Sequence, residues 1–330
     1  MSEPKDDIQL LQASIDPDDD SYFRLLVNGK YIKYITVAAE VYEEDDMCFA
    51  PSLIPLLPPF PEGNWNDGYI AKQPDSGKPH FQRTVQTKFP EVQRAWHDVS
   101  FNYLDLELGK KLRTNVYEAR VTGSQEAVIA KFARFSWEID NIDKECVAYH
   151  WINNSDIGPK FLGNIVEEDR VIGFVIERIA DARPAETGDY GVCKRLLLRL
   201  HSKGIIHGDI NKHNFLVSGT RTVLIDFDCA RRTADKKAMK AEMTSLKDQL
   251  ANRKNATSLP ASNASRFTRV MPNHLATSSD EYFLRPAFLD LVYRTRPSLT
   301  LLKNPFRWDD VVDTVSIEEE LSRVELVILR

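Results

Sequence analysis

The chain has 330 residues, of which 42% are hydrophobic and 28% charged, and a formal net charge of −6. This is the balance of a folded globular protein with room for a sizeable core. It excludes attachment to nucleic acid or anionic lipid through bulk charge. Cys48, Cys146, Cys193 and Cys229 are scattered with no CxxC pair, a spacing that suits reduced thiols rather than a disulfide framework or a zinc site. The opening MSEPKDDIQLL has neither the basic nor the apolar region of a secretion signal. A cytoplasmic or nuclear protein is expected.

Residues 1–20 are acidic, end in DPDDD and are expected to be mobile. FRLLVNGKYIKYITVAAEVY, 23–42, reads as two strands around an Asn-Gly hairpin turn. EEDD, 43–46, reads as a solvated loop, and the Pro-, Gly- and Asn-rich stretch to about residue 80 as an irregular wrapping segment. Within it, APSLIPLLPPFP (50–61) is too short and too broken by proline to span a bilayer as a helix. The glycosylation sequons at Asn153, Asn255 and Asn263 read as chance matches.

Further along, NVYEARV (115–121) and AVIAKFA (127–133) read as strands joined by TGSQ. EIDNIDKECVAYHWI, 138–152, has apolar residues at helical spacing. IGPKFLGNIV and RVIGFVIERI give two more strands, and YGVCKRLLLRLHSKG, 190–204, a helix stopped by Gly204. HGDINKHNFLV, 207–217, and VLIDFDCA, 223–230, are short apolar strands flanked by carboxylates and an amide. TADKKAMKAEMTSLKDQLA reads as an amphipathic helix. NRKNATSLPASNAS, 252–265, reads as a linker, and the chain from about 278 as two or three helices broken by Pro286, Pro297 and Pro305.

If the two short strands are neighbours, Asp209, Asn214 and Asp226 converge. Asn214 and Asp226 suit Mg²⁺, which takes few protein oxygens and the rest from water and phosphate. Asp209 is then free to accept a proton from, or orient, a hydroxyl. Lys131 stands in an apolar strand, where a buried ammonium needs a partner. Glu145 on the next helix is the candidate, with Glu138 as competitor. His207 reads as structural, Cys229 as a core residue, and Arg231 with Arg232 as a surface pair.

The order strand-Lys, helix-Glu, His-x-Asp-x-x-x-x-Asn, Asp-Phe-x over residues 108–232 resembles the protein-kinase superfamily. The resemblance implies an α+β, two-lobed fold: a small, mostly β N-lobe at 108–179 and a mostly α, atypical C-lobe at 180–330. Residues 21–107 would form an additional β and irregular extension packed on that core. It implies ATP and Mg²⁺ as cofactors. Lys131 would contact phosphate, Asp209 would be the catalytic Asp, and Asn214 and Asp226 the metal ligands. Ile176 would stand at the back of the adenine site, backbone groups of Glu177 and Ile179 would face the adenine, and Val116 would cover it.

The departures are specific. Of the glycine-rich loop only Gly109 is kept in LGKKLRTNVYEA, so that either the loop grips phosphate less tightly or Lys111, Arg113 or Thr114 reach the phosphates with side chains. Gly208 replaces the Arg of His-Arg-Asp, and Asp228 the Gly of Asp-Phe-Gly. Lys212, three residues after Asp209, is a candidate to stabilise the transferring phosphate. His-Gly-Asp resembles small-molecule phosphotransferases of the aminoglycoside or choline kinase type and small atypical protein kinases. WNDGY, KFARFSWEI and VIGFVIERIADAR resemble fungal kinase-like proteins. Phosphoryl transfer to a hydroxyl of a small molecule or protein is the expected activity. A nucleotide-binding pseudokinase, and a biosynthetic enzyme performing adenylyl transfer or another bond formation, are the alternatives.

Overall fold

The computed structural model describes residues 7–219 and 221–251. It opens on β1 (Ile8–Ser14), β2 (Ser21–Val27) and β3 (Tyr31–Val37). The β2–β3 turn places Asn28 and Gly29 at φ of 54° and 64°, the left-handed pair that an Asn-Gly hairpin supplies at least cost. Two short helices follow, α1 (Glu44–Met47) and α2 (Ala50–Leu56), then β4 (Asp67–Lys72) and β5 (Pro79–Val85). These five strands form one sheet in the order β1-β2-β3-β4-β5. Phe23, Leu25, Ile35, Val37, Leu53 and Ile70 are buried together on it.

Much of this departs from the expectations. β1 forms inside the segment expected to be mobile, because Ile8–Ser14 finds a full antiparallel partner in β2. EEDD lies largely in α1 rather than in a loop. The segment expected to be irregular contains β4, which pairs in parallel with β3. A strand that exists through a partner outside its own window leaves no short-range signal.

The second sheet is built from β6 (Ser100–Asn102), β7 (Leu106–Arg113), β8 (Val116–Val121), β9 (Ala127–Phe132), β10 (Phe161–Glu167) and β11 (Arg170–Glu177), in the order β6-β10-β11-β9-β8-β7. α3 (Ile139–Ile152) lies between β9 and β10 in the chain, and its Ile142, Cys146, Ala148 and Tyr149 are buried. Beyond the sheet come β12 (Arg183–Pro184), α4 (Tyr190–Ser202), β13 (Ile205–Ile206), β14 (Phe215–Ser218), β15 (Arg221–Leu224), β16 (Arg231–Arg232) and α5 (Lys236–Ala251). β12, β14 and β15 form one small sheet, and β13 pairs with β16. Gly204, at φ 73°, follows α4 as the stop that its sequence position predicted. The described residues are therefore α+β, with strands predominating. The linker and helices expected beyond 252 lie outside the described residues.

The two large sheets meet through a buried polar network. Arg24 on β2 is 0% exposed. Its Nε donates to Glu167 Oε2 at 2.9 Å and its Nη1 to Gln12 Oε1 at 2.5 Å. Its guanidinium lies 3.9 Å over the Tyr103 ring. The Tyr34 hydroxyl donates to Glu167 Oε1 at 2.6 Å, and Arg170 also reaches that oxygen at 2.6 Å. A buried guanidinium is tolerable here because carboxylate, amide and aromatic face each take part of its charge.

Candidate functional site

Lys131 lies mid-strand on β9, paired across to Val116 on β8 and Phe174 on β11. Its Nζ is 2.5 Å from Glu145 Oε2 and 2.6 Å from Asp226 Oδ1. Glu145 reaches inward because it shares the buried stripe of α3 with Ile142 and Tyr149. The competitor, Glu138, instead binds Arg134, at 2.6 Å. Burial opposes the charge on Lys131, but Glu145 and Asp226 outweigh it and hold the ammonium well above its usual range. Burial also pushes the Glu145 carboxyl up to about 7, against the pull of Lys131.

Asp226, two residues beyond β15, has a φ of 66°, a conformation costly for a residue other than glycine and held by its surroundings. Ile225 N donates to Asn214 O at 3.0 Å, His207 Nε2 lies 3.0 Å from Ile225 O, and Phe227 N donates to Glu145 Oε1 at 3.3 Å. His207 is 0% exposed and serves the backbone, as its sequence context suggested. Burial lowers its pKa. Despite burial, Lys131 and Arg113 hold the Asp226 carboxyl below the usual carboxylate range. Arg113, next to the β7–β8 turn, donates to Asp226 Oδ2 at 2.7 Å.

Asn214 is buried in the turn before β14 and spends its Nδ2 on the backbone and side-chain oxygens of Asp209, each at 2.9 Å. That orients its Oδ1 away from Asp209, and the atom is buried with no hydrogen-bond partner among the described residues. Asp209 itself is exposed, and its Oδ2 also accepts from Asn211 Nδ2 at 3.0 Å. Among the described residues no three His, Cys, Asp or Glu side chains are grouped to hold a metal ion. Two oxygen donors, the orphaned Asn214 Oδ1 and the cation-seeking Asp226, nevertheless fit Mg²⁺, which takes its other ligands from water and phosphate.

A cavity of about 440 Å³ opens beside this cluster, within the range of small-molecule sites. Arg113, Val116, Lys131, Glu145, Ile176, Glu177, Ile179 and Asp226 line it. Gly109, Asp209, Lys212 and Asn214 do not. Gly109 is on β7, where the chain continues as a strand rather than as a phosphate-cradling loop. Lys212 stands in the turn beside Asn214. The Glu177 N–H is spent on Lys160 O at 2.8 Å, and its carboxylate grips Arg221 at 2.5 and 2.9 Å. Cys229, read as core, is exposed, because the loop after Phe227 turns outward.

Sequence reasoning singled out Arg113 only as one of three side chains that could reach phosphate, and it overlooked Tyr149. Tyr149 sits one turn after Glu145 and lines the cavity, and its buried hydroxyl has no partner among the described residues. Helical spacing alone made it a core residue.

Residues 192–270 match the family model of the lipopolysaccharide kinase (Kdo/WaaP) family. This segment is kinase-like. It runs from α4 through Asp209, Asn214 and Asp226 to beyond α5, and it is a minority of the chain. No curated protein matches the chain. No helix among the described residues is long and apolar enough to cross a membrane.

Proposed function

We propose that the chain is an ATP- and Mg²⁺-dependent phosphotransferase that moves the γ-phosphoryl group to a hydroxyl acceptor. The observation that carries this reading is the Lys131–Glu145–Asp226 cluster on the wall of a cavity large enough for a nucleotide, with the unpartnered Asn214 Oδ1 held by the adjoining loop. Asn214 and Asp226 would hold Mg²⁺, which would supply charge neutralisation at the phosphates. Lys131, anchored by Glu145, meets the phosphate oxygens. Asp209, exposed and hydrogen-bonded on one oxygen, orients the hydroxyl and takes its proton as the new P–O bond forms and the bond to ADP breaks. Val116, Ile176 and the segment 177–179 enclose the base, and Lys212 stands near the acceptor side.

In this reading residues 108–179, with most of β7, β8–β11 and α3, form the smaller lobe and the chain from 180 the larger, with residues 21–107 as an extension that adds β6 to the same sheet and docks through Arg24 and Glu167. The name lipopolysaccharide kinase, borne by the matching family model, favours a sugar or other small hydroxyl compound as acceptor. A second reading, a nucleotide-binding protein without turnover, draws support from the Arg113–Asp226 ion pair, which occupies an oxygen that the metal needs.

Single-turnover transfer from γ-labelled ATP across a panel of sugars and small alcohols tests the proposal, with Asp209→Asn as control. Acceptor-dependent label transfer lost in the variant is expected. Equal transfer by both proteins would remove Asp209 from the mechanism.

A further inference from the structure

A second cavity, of about 200 Å³, opens at the seam between the first sheet and the segment leading into α3. Five aromatic residues line it from four stretches of chain: Tyr22 on β2, Tyr34 on β3, Phe89 after β5, and Phe135 with Trp137 just ahead of α3. Their rings touch in pairs. Tyr34 lies 4.5 Å from Phe89, Tyr22 lies 4.8 Å from Trp137, and Phe135 stacks on Trp137 at 4.8 Å and 13°. The Tyr34 hydroxyl already donates to Glu167, so Tyr34 has its ring left to offer. Trp137 is 53% exposed, more than any other large hydrophobic residue among those described. An indole left half in water at the lip of an aromatic cavity reads as a contact surface rather than as packing.

The surroundings of this cavity are acidic. Asp67 lines it, and its Oδ2 accepts from the Thr87 hydroxyl at 2.9 Å. Among the described residues lining the cavity Arg83 is the one cation. It stands 3.8 Å from Asp67 with its side chain 56% exposed, a long pair that water screens. Two further carboxylates are near: burial, and then the charges of Asp20 and Asp19, raise the pKa of the Tyr22 hydroxyl. Three carboxylates thus stand against one guanidinium. The same rings already carry a cation on their outer side. The Arg170 guanidinium lies 5.3 Å over Tyr34 and 5.1 Å over Phe89, and Arg170 does not line the cavity.

Aromatic faces and a negative rim both favour positive charge. Walls made mostly of rings offer few hydrogen-bond acceptors, so a strongly hydrated ion or a polyol would lose more to water than it gained. An alkylated ammonium group loses little hydration and fills such a space with methyl groups. We propose that this cavity binds an organic cation of trimethylammonium size carried by a small molecule, with Tyr22, Phe135 and Trp137 around the methyl groups and Asp67 balancing the charge. The site shares no lining residue with the cavity beside Lys131, and it does not depend on the phosphotransferase reading.

Calorimetric titration of the full chain with choline, and with its uncharged isostere 3,3-dimethylbutanol, tests the proposal. Choline should bind roughly tenfold tighter, as for a partly desolvated cation over aromatic rings. Trp137→Ala should weaken choline binding about fivefold or more, and Trp137→Phe, which keeps an aromatic face, should retain most of it. Asp67→Asn should weaken it as well and flatten its dependence on salt. Thermal melts check that each variant is folded; if Trp137→Ala is not, the contrast between Trp137→Phe and Asp67→Asn carries the test. Equal affinity for the two compounds, or no binding of choline at millimolar concentration, would overturn the proposal. So would choline binding that survives Trp137→Ala and is lost in Asp209→Asn, which would put the cation in the other cavity. A trimethyl-lysine peptide that binds far more tightly than choline would overturn the assignment to a small molecule.

Discussion

Gly208 shows how tightly the site constrains single residues. Its positive φ, and the 2.5 Å that would separate a Cβ at this position from Cys229 O, combine backbone strain with a clash against main chain. Gly208→Ala should destabilise the protein by roughly 1–3 kcal/mol, read from denaturant midpoints. Tyr149 should behave oppositely. Its hydroxyl is buried and has no partner among the described residues, a state that costs about 1–3 kcal/mol. Tyr149→Phe should leave stability unchanged or raise it in the free protein; a clear loss would mean that the hydroxyl is satisfied. Lys131→Ala strands the buried Glu145 beside Asp226. Thermal unfolding should register a loss of roughly 3–5 kcal/mol, offset as far as Glu145 takes up a proton.

At the scale of elements, the β7–β8 hairpin stands where a glycine-rich loop was expected, and it presents side chains instead of bare amides. Arg113 holds Asp226 Oδ2 at 2.7 Å; in the phosphotransferase reading an incoming Mg²⁺ and phosphate would take its place, which would leave the guanidinium close to the phosphate oxygens. Arg113→Ala should weaken Mg·ATP binding by about tenfold, seen by calorimetry, since a charge-assisted contact is worth ~1.5 kcal/mol or more. A gain in affinity would make Arg113 a plug rather than a phosphate ligand.

The elements legible in the sequence were those with local signals. α3 and α4 announced themselves by apolar spacing and the β2–β3 hairpin by Asn-Gly, and the types and order of Lys131, Asp226, Asp209 and Asn214 pointed to the Lys131–Asp226 and Asp209–Asn214 contacts. β1 and β4 were illegible because they exist through partners outside their own windows, and β5 because it forms only against β4.

For the molecule as a whole, the attachment of the first sheet to the second should be sensitive to acid. Although burial opposes its charge, Arg24 and Arg170 hold the Glu167 carboxyl below its ordinary range. A depressed folded-state pKa means that this stabilisation is present in full above the unfolded value, near pH 4.5, and is lost as pH falls through the depressed one. Glu167→Gln should flatten the acid limb of the stability curve measured by thermal melts, at the cost of lower stability at neutral pH. By contrast, Arg94→Ala should cost only about 1 kcal/mol or less, because the Arg94 guanidinium that pairs with Asp143 is 57% exposed.

All of the functional reading depends on whether the cleft beside Lys131 takes a nucleotide through a divalent ion. Calorimetric titration of ATP into wild type, Lys131→Met and Asp226→Asn, each with Mg²⁺ and with EDTA, measures this directly. The expected result is binding that requires Mg²⁺ and falls by about tenfold or more in both variants. Binding of equal strength in all three proteins, with or without Mg²⁺, would contradict it.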